Sequence, residues 1–438
     1  MMHVSLSAAG LHVKTPALEA AGVVLSGPIG FELKPGEINV IRGGNGVGKS
    51  TLLRLMGNAL PGQCVLFKPE FGLRDELLVH THLQIVLSHL GSNAHGVESL
   101  LEQVGLANWQ YERIGTLSSG QRARLGLCTL LAGPFKVWLL DEPLNALDDE
   151  GVATLAKAVA THFARGGIVF MATHVDAAVL TQHLPGVPVK EGRLEQGCLL
   201  GDFSTNADAG PAQPRSHSAK VALPALLKRD WAVALGNPQA LLWGALFHWM
   251  VLSFFGIGLG KPSAEFAQVA VWVSLLLALM LGAKDWFVED HRTGWLGFVA
   301  GLNPDNMAWY WLVRVVFLAL CQALVLVPVT GLVALQLGLS GAQTFDLTLA
   351  LSAGIWAVAP LLGLVALLVM LTRGGAVLVY LLALPLLVPV LIFGLEASQA
   401  SGLGRSAFAP LSVLASLGML GCLLGPFVAK RLVALIQE

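Results

Sequence analysis

Charged residues are scarce in this 438-residue sequence, where Asp, Glu, Lys and Arg together make up 13% and hydrophobic residues 55%. The mean hydropathy of +0.68 lies well above the usual range of soluble proteins. Insertion into a membrane is the natural explanation, with lipid as a partner. The 27 basic and 28 acidic residues give a net charge of −1, so there is no electrostatic reason to expect nucleic acid as a partner.

Paired cysteines and a leader sequence are also lacking. The five cysteines are scattered, with no CxxC pair and no CxxCH haem-attachment motif, which argues against a disulfide scaffold and a c-type cytochrome. The N-terminal stretch "MMHVSLSAAGLHVKTPALEAAG" has no basic segment followed by an apolar core, so it does not resemble a signal peptide. We therefore expect the first domain to stay in the cytosol.

The chain divides into two halves of different character. Residues 1–200 alternate short apolar runs with more polar, helix-like segments, the pattern of an α/β domain with a parallel sheet. Residues 201–220, rich in small and turn-forming residues, are predicted to be a flexible linker. Residues 221–438 are predicted to be an all-α transmembrane domain.

The second half opens with "ALPALLKRDWAVAL" (222–235), which has leucines on one side and charges on the other. This pattern is typical of a helix in the membrane interface, with its charged face toward water. Stretches of about 20 apolar residues, the length needed to cross a bilayer, then predict six spans. The predicted spans are 239–260, 266–283, 308–331, 346–371, 376–395 and 408–428.

The distribution of basic residues predicts the orientation of these spans. With a cytosolic start, the outer loops contain only Lys261 and Arg405. The cytosolic flanks contain Lys220, Lys228, Arg229, Lys284, Arg292, Arg373, Lys430 and Arg431. We therefore expect both termini in the cytosol.

A glycine-rich motif, "GGNGVGKST", lies between the strand "INVI" and the helix "TLLRLMG" and fits the Walker A pattern. Its glycines allow backbone N–H groups to surround phosphates, and the helix N-terminus adds positive potential. Lys49 is expected to contact the β- and γ-phosphates and Ser50 to bind Mg²⁺. The context disfavours a chance glycine-rich turn. The predicted nucleotide-binding residues of this loop are Gly43, Asn45, Gly46, Gly48, Lys49, Ser50 and Thr51.

Two carboxylates end the apolar strand in "VWLLDEP". Asp141 is expected to hold Mg²⁺, directly or through water, and Glu142 to orient and deprotonate the attacking water. An acidic pair that caps the next helix is the alternative. It carries less weight beside a phosphate loop.

Three further motifs resemble those of the ABC ATPase family: "LSSGQ" its signature, "NALD" its D-loop, and "ATH" the end of its switch. The resemblance implies that Ser118, Gly120, Gln121 and Asp148 bind nucleotide, with Ser118 and Gly120 acting on ATP held by a second copy of the chain. It also implies that His174 acts at the γ-phosphate, with ATP and Mg²⁺ as cofactors. Taken alone, His174 would more often be a turn or core histidine, but its place just after the third apolar strand favours the γ-phosphate role.

The family usually has a glutamine near the γ-phosphate about twenty residues past the phosphate loop. Alignment through "GLRDEL" places Glu70 at this Q-loop position, while Gln63 and Gln84 are the competing candidates. Alternatively, Glu70 is a solvated loop acid. A carboxylate can bind Mg²⁺ as an amide oxygen does, but it brings an extra negative charge toward the triphosphate.

The membrane half contains three features that bear on coupling and cargo. The segment 284–304 mixes charge with tryptophan and phenylalanine, and we expect it to dock on the ATPase as a cytosolic coupling element. A plain amphipathic surface loop is the alternative. Arg314 is expected to snorkel from the third span toward water. His248, inside the first span, is either a packed polar residue or, less favoured, a haem ligand.

Longer stretches resemble the cytochrome c maturation family. "TRGGAVLVYLLALPLLVPVLIFG", "GNPQALLW" and "VEDHRTGWL" are similar to the CcmB permease, and "FELKPGEINVIRGGNGVGKSTLLRLM", "GLRDEL" and "LSSGQRARLGL" are similar to its partner ATPase, CcmA. The resemblance implies an ATPase–permease fusion in the bacterial inner membrane, of the class named haem exporters. It also implies a haem-handling membrane protein and a haem chaperone as partners.

Three functions fit these expectations. The favoured one uses ATP to release the haem-loaded chaperone from the haem-handling partner. A pump for haem, lipid or drug is the second, and a non-hydrolysing assembly scaffold is the third. The sequence contains no tryptophan-rich haem-binding motif, and intact Glu142 and His174 argue against the scaffold.

We predict that the carboxylate of Glu70 makes ATP coupling weaker or more dependent on Mg²⁺, because its charge could oppose the triphosphate by a few kcal/mol at about 4 Å. Glu70→Gln should therefore lower the Mg²⁺ requirement in ATPase assays across Mg²⁺ concentrations. An unchanged rate and affinity would contradict this prediction.

Overall fold

A computed structural model of the chain describes residues 3–6, 11–15, 18–20, 23–25, 29–44, 46–69, 72–91, 96–176, 178–195, 198–201, 223–260, 262–283, 285–303, 305–371, 376–400 and 402–437. The chain forms two compact units. The first unit comprises residues 1–225, 290–306 and 437–438, and the second comprises residues 226–289 and 307–436. The predicted linker lies, from residue 202 onward, outside the described residues.

Strands are confined to the first unit among the described residues. They are β1 (His3–Leu6), β2 (Leu11–Thr15), β3 (Leu18–Ala20), β4 (Val23–Leu25), β5 (Ile29–Leu33), β6 (Ile38–Arg42), β7 (Cys64–Phe67), β8 (Val137–Asp141), β9 (Ile168–Ala172), β10 (Val189–Glu195) and β11 (Cys198–Gly201). The helices are α1 (Lys49–Ala59), α2 (Val79–His89), α3 (Val97–Gln103), α4 (Ser119–Ala132), α5 (Asp149–Ala164), α6 (Ala178–Thr181), α7 (Leu223–Gly236), α8 (Gln239–Leu259), α9 (Ala264–Ala283), α10 (Val288–Arg292), α11 (Trp295–Leu302), α12 (Asn306–Gln336), α13 (Gly341–Leu371), α14 (Ala376–Gln399) and α15 (Phe408–Gln437).

The main sheet has six strands in the order β11-β10-β6-β9-β8-β7. All neighbouring pairs are parallel except β10 and β11. Every residue of β8 and β9 is buried, as expected for parallel strands covered by helices on both faces. Because parallel strands end at the same edge, the carboxyl ends of β6, β7, β8 and β9 meet along one side of this sheet, where α/β proteins bind ligands.

Helix α1 is held against the sheet by an apolar face. Leu52, Leu53 and Met56 are fully buried in one cluster with Leu139 and Phe170 of the strands. This packing fixes the start of α1 relative to the edge of the sheet. An antiparallel sheet of β1, β2 and β5 and a β3–β4 hairpin complete the strands of the first unit.

The second unit is helical, so the predicted order of an α/β domain followed by an all-α domain is confirmed. Its long helices α8, α9, α12, α13, α14 and α15 overlap the six predicted spans. Five have a described stretch long and apolar enough to cross a membrane, and α14 contributes the shorter apolar stretch Ala383–Gln399. Helices α12 and α13 each have 31 residues. They are longer than predicted, and at 1.5 Å per residue they exceed a hydrocarbon core of about 30 Å.

Close packing of α9, α13 and α14 depends on small residues opposite one tryptophan. A Cβ atom on Gly354 or Gly394 would lie 2.5 or 2.4 Å from the ring of Trp272, so both positions need glycine. The Trp272 Nε1 donates to the hydroxyl of Ser398 at 2.9 Å. Small residues at such contacts are the usual means by which membrane helices approach one another.

His248 is fully buried between three helices. Its Nδ1 lies 2.8 Å from the Ser274 hydroxyl and its Nε2 lies 2.9 Å from the Thr330 hydroxyl. Both ring nitrogens are therefore engaged by hydroxyl groups, which favours the packed polar residue over the haem ligand.

Two of the three charged residues of α7, Arg229 and Asp230, do not point to water, contrary to the sequence-based expectation, whereas Lys228 is exposed. Arg229 and Asp230 are 1% and 3% exposed, whereas Trp231 and Leu235 are 54% and 63% exposed. The reason is a buried partner: Asp230 Oδ1 accepts hydrogen bonds from both Arg229 and Arg314. Several apolar residues of α7 are exposed instead, although Leu226 is only 1% exposed.

The prediction that Arg314 snorkels to water is wrong for the same reason. Its side chain is 5% exposed, and its guanidinium donates to the carbonyl of Trp286 at 2.8 and 2.9 Å as well as to Asp230. It also lies over the Phe287 ring, 5.8 Å from the centroid. Arg314 therefore joins α12 to α7 and to the chain after α9.

We predict that Asp230→Asn destabilises the protein by about 3–5 kcal/mol, because the buried Arg229 and Arg314 both lose this carboxylate. Arg314→Met should destabilise it less, because Asp230 keeps its contact with Arg229. The double variant should lose less than the sum of the two, since the contact between Asp230 and Arg314 is counted in both single losses. Thermal unfolding in detergent would measure this, with the exposed Arg405→Met as control. Purely additive losses would contradict a coupled pair.

Candidate nucleotide-binding and hydrolysis site

The glycine-rich loop between β6 and α1 has a backbone that only glycine adopts easily. Gly43, Gly46 and Gly48 have φ angles of 154°, 81° and 104°. At Gly43 a Cβ atom would also lie 2.6 Å from the carbonyl oxygen of Leu194, so the loop passes close to β10. Asn45 lies outside the described residues.

Lys49 begins α1 and folds back over the loop that precedes it. Its Nζ donates to the carbonyls of Gly43 and Gly44 at 2.6 and 3.2 Å, and the side chain is 7% exposed. Thr51, also buried, follows in the first turn. The first N–H groups of a helix have no partner within the helix, so the end of α1 is suited to an anion such as a phosphate.

The two predicted Mg²⁺ ligands are in direct contact. The hydroxyl of Ser50 donates to Asp141 Oδ1 at 2.9 Å, which joins the start of α1 to the end of β8. Hydroxyl and carboxylate oxygens are the hard donors that Mg²⁺ prefers, and Lys68 Nζ lies 2.9 Å from Asp141 Oδ2, so a cation is already accommodated at this carboxylate. The residues therefore fit a Mg²⁺ ion held by Ser50 and Asp141 and completed by phosphate oxygens and water.

Glu142 directly follows β8 in a conformation uncommon for a residue with a side chain, with φ 52°. Its N–H donates to the carbonyl of Ala172 at 2.8 Å, which anchors this backbone to β9. Its Oε2 accepts from the backbone N–H of His174 at 3.2 Å and lies 3.0 Å from His174 Nδ1. Lys49 Nζ is 3.9 Å from Oε1. A carboxylate held in this way can orient a water molecule and accept its proton.

The loop that carries His174 is fixed to neighbouring strands. The N–H of Thr173 donates to the carbonyl of Ile41 at 3.2 Å, and Arg42 forms an ion pair with Asp176 at 3.2 Å. A hydrogen bond from the N–H of Ala178, together with the Arg42 guanidinium, lowers the pKa of Asp176, which therefore keeps its charge. These contacts hold His174 beside Glu142.

The signature residues form a second cluster at the start of α4. Ser118 accepts from the N–H of Gln121 at 3.3 Å while the Gln121 side chain accepts from the N–H of Ser118 at 2.9 Å, forming a reciprocal capping box. A Cβ atom on Gly120 would lie 3.4 Å from Asp148 Oδ2, and Asp148 itself caps α5 through the N–H of Gly151. Gln121 and Asp148 thus have structural roles within the protomer.

Glu70 lies outside the described residues, but the strand before it is informative. Gln63 precedes β7, at the end opposite to the carboxyl edge, and its carbonyl bonds to the N–H of Val137 at the start of β8. Gln84 lies within α2. Lys68, the residue after β7, has its Nζ 2.9 Å from Asp141 Oδ2, which supports the placement of the Q-loop after β7.

Two features of this region were not predicted from the sequence: the position of Lys68 and the ion pair between Arg74 and Asp290. Lys68 was overlooked because the family motif draws attention to the Q-loop position, although a lysine directly after a strand parallel to β8 was an available signal. The buried ion pair between Arg74 and Asp290, at 3.1 Å, was overlooked because these residues are 216 positions apart. No local pattern indicates such a contact.

Comparisons with known proteins divide the chain as the composition does. The ABC transporter family matches residues 27–145 and the CcmB protein family matches residues 221–435. The cytochrome c biogenesis ATP-binding export protein CcmA of Rhodobacter capsulatus is 36% identical over 209 residues, which are 45% of this chain and 97% of that protein. CcmA of Ruegeria pomeroyi is 32% identical over 203 residues, which are 44% of this chain and 98% of that protein. A solved chain described as the ATP-binding subunit of an ABC transporter aligns at 18% identity with a TM-score of 0.39, over 44% of this chain and 90% of that chain, too low a likeness to add to the fold assignment.

We predict that Glu142→Gln lowers the ATPase rate constant at least about 100-fold, because the amide cannot accept the proton of the attacking water. Nucleotide affinity should persist, since Lys49 and Ser50 are unchanged. Phosphate release and binding of a fluorescent ATP analogue would be measured in parallel. The exposed Glu102→Gln on α3 is the matched control and should hydrolyse ATP normally. Substantial hydrolysis by Glu142→Gln would exclude Glu142 as the general base.

Proposed function

Because this chain belongs to the family of the cytochrome c biogenesis ATP-binding export protein CcmA and continues into a CcmB domain, we propose that its ATP hydrolysis releases a haem-loaded chaperone from a haem-handling membrane partner. The chain is thus an ATP-hydrolysing, multi-pass ABC transporter of the cytochrome c biogenesis type, and the predicted resemblance is confirmed. The proposed location is the bacterial inner membrane, with the ATPase and both termini in the cytosol.

The active form is proposed to be a homodimer with two composite sites. The phosphate loop, Asp141, Glu142 and His174 supply one side of each site, and Ser118 and Gly120 of the other copy supply the second side. Support comes from the capping box, which fixes Ser118 at the exposed start of α4 in a position suited to meet another surface. Six spans per chain give twelve per dimer, the usual number for a full ABC transporter by resemblance.

Within each site the residues have separate roles. Lys49 and the start of α1 bind the phosphates, while Ser50 and Asp141 hold Mg²⁺, which supplies charge neutralisation at the triphosphate. Glu142 orients the water and takes its proton, and His174 keeps Glu142 in place while facing the γ-phosphate. Hydrolysis then removes the group that holds the two copies together.

One observation gives the main support for coupling to the membrane half: segment 290–306 packs within the first unit. This segment lies between the spans α9 and α12. Asp290 is fully buried against Arg74, and the N–H of Gly72 donates to the carbonyl of Thr293 at 2.6 Å. The N–H of Gly62 likewise donates to the carbonyl of Gly301. These contacts support a coupling element more than a plain surface loop.

An aromatic residue anchors the same segment. Trp295 is 1% exposed and meets the His89 ring edge-on, with the centroids 5.4 Å apart. A Cβ atom on Gly72 would lie 3.4 Å from the Trp295 ring, so a glycine at this position leaves room for the contact. Apolar burial of this kind adds affinity, whereas the Arg74–Asp290 pair adds orientation.

The stretch 72–77 has contacts on a second side as well. Asp75 forms an ion pair with Arg122, in the first turn of the signature helix α4, and the Asp75 carbonyl accepts from the N–H of Gly115 at 3.1 Å. A movement of the signature onto nucleotide would therefore displace the residues that hold Asp290. This gives a continuous route from the nucleotide to the segment between the spans.

A pump remains the second candidate, favoured by one observation. An open groove of about 750 Å³ lies between α8 and α12 in the second unit, and its lining residues Trp243, Trp249 and Leu332 are 61%, 46% and 65% exposed. Its lining is almost wholly apolar, with Trp243, Trp249 and several leucines, and its polar members are Gln239 and Gln336. An open apolar groove on membrane-spanning helices suits contact with a lipid-like molecule, and its described lining offers no charged group to the two carboxylates of haem.

We predict that Arg74→Met leaves nucleotide binding intact but reduces mature c-type cytochromes in cells at least about tenfold, because it removes the buried ion pair that joins Asp290 to the stretch 72–77. Asp290→Asn should give the same defect. The matched control is Arg193→Met, which removes an exposed arginine of the first unit. Normal levels of c-type cytochromes in Arg74→Met cells, at equal protein abundance, would show that coupling does not need this ion pair.

One cellular experiment separates the three functions. In cells that carry Glu142→Gln, c-type cytochromes and haem bound to the chaperone and its partner are measured. Haem-loaded chaperone trapped with its partner is the result expected for release. Haem-free chaperone would instead indicate export, and normal cytochromes would show that the chain acts as a scaffold without a need for hydrolysis.

A further inference from the structure

We propose that Lys68 is an additional residue of the nucleotide site, whose ammonium group shares the Asp141 carboxylate with Mg²⁺ and reduces the dependence of nucleotide binding on that ion. The inference rests on the nucleotide and Mg²⁺ site proposed above. It adds a residue that lies outside the phosphate loop, signature and switch motifs.

The position of Lys68 follows from strand register. Strands β7 and β8 are parallel, with Phe67 opposite Leu140, so the next residues along the two chains, Lys68 and Asp141, end side by side. Pro69 restricts the residue before it to an extended conformation, which continues the direction of the strand. The register therefore brings the lysine to the metal-binding carboxylate, and the Nζ to Oδ2 distance is 2.9 Å.

Both oxygens of Asp141 are thereby engaged. Oδ1 accepts from Ser50 and Oδ2 faces Lys68, while the carboxylate is 5% exposed. Lys49 donates to the carbonyls of its own loop and lies near Glu142, so its charge is directed elsewhere. In the part of the chain that the structure describes, the ion pair of Asp141 is formed with Lys68.

This arrangement has opposite effects on the metal and on the nucleotide. An ammonium group at Asp141 competes with Mg²⁺ for the same oxygen and repels it. The same group attracts the triphosphate that binds beside Asp141. Because the lysine side chain is 48% exposed and flexible, it can leave Oδ2 when Mg²⁺ binds and remain close to the phosphates. Lys68 also supplies a charge opposite to that of Glu70, two residues further along the chain.

The test measures equilibrium binding of a fluorescent ATP analogue to the purified full-length chain in detergent, with Mg²⁺ or with EDTA, followed by a Mg²⁺ titration. Lys68→Gln should weaken binding in EDTA about two- to fivefold, the range of a partly exposed charge interaction, and should lower the half-saturating Mg²⁺ concentration by a similar factor. Lys68→Arg should stay close to the unmodified protein because it keeps the charge.

Lys157→Gln, an exposed lysine on α5, is the matched control for the loss of one positive charge. If Lys68→Gln matches Lys157→Gln in both titrations, the proposal is overturned. Thermal unfolding without nucleotide confirms that the compared variants are folded. Failure of the unmodified chain to bind the analogue with Mg²⁺ would overturn the nucleotide site itself, an outcome distinct from a failure of the Lys68 role alone.

Discussion

The parallel register of β6, β7, β8 and β9 is the constraint on which the candidate site depends. Since these strands end at one edge, residues far apart in sequence are brought to the same place without long loops. The phosphate loop follows β6, Lys68 follows β7, Asp141 and Glu142 end β8, and His174 follows β9. A slip of one residue between β7 and β8 would turn Lys68 away from Asp141 and separate the pair.

Charge balance at that edge explains why so polar a group of residues is stable beside the buried, mostly apolar strands β8 and β9. Two carboxylates at the end of β8 face two lysines, one from α1 and one from β7, and each also has a hydrogen-bond donor from a hydroxyl or a backbone N–H. A buried charge without such partners would cost several kcal/mol. The arrangement is therefore prepared for a ligand that carries both a cation and several negative oxygens.

The sequence predicted what depends on contiguous patterns. The phosphate loop needs only nine consecutive residues and its neighbouring strand and helix, and the spans need only length and hydropathy, so both agree with the structure in place and type. Partners across the fold were not predictable in this way. Asp230 and Arg314 are 84 positions apart, and hydropathy treats each of their segments alone, so it assigned both to water although they neutralise each other inside the second unit. The contact between Arg74 and Asp290, which are 216 positions apart, could not be predicted for the same reason.

Segment 290–306 and the residues that it contacts belong to a single polypeptide. By contrast, the CcmA relatives correspond to 45% or less of this chain, which matches nearly their full length. A covalent connection gives such a contact an effective concentration on the order of millimolar, so it needs little intrinsic affinity to stay occupied. The interface can accordingly be small and exchangeable. Assembly is provided by the backbone, so the Arg74–Asp290 pair is needed to orient the segment and not to keep it nearby.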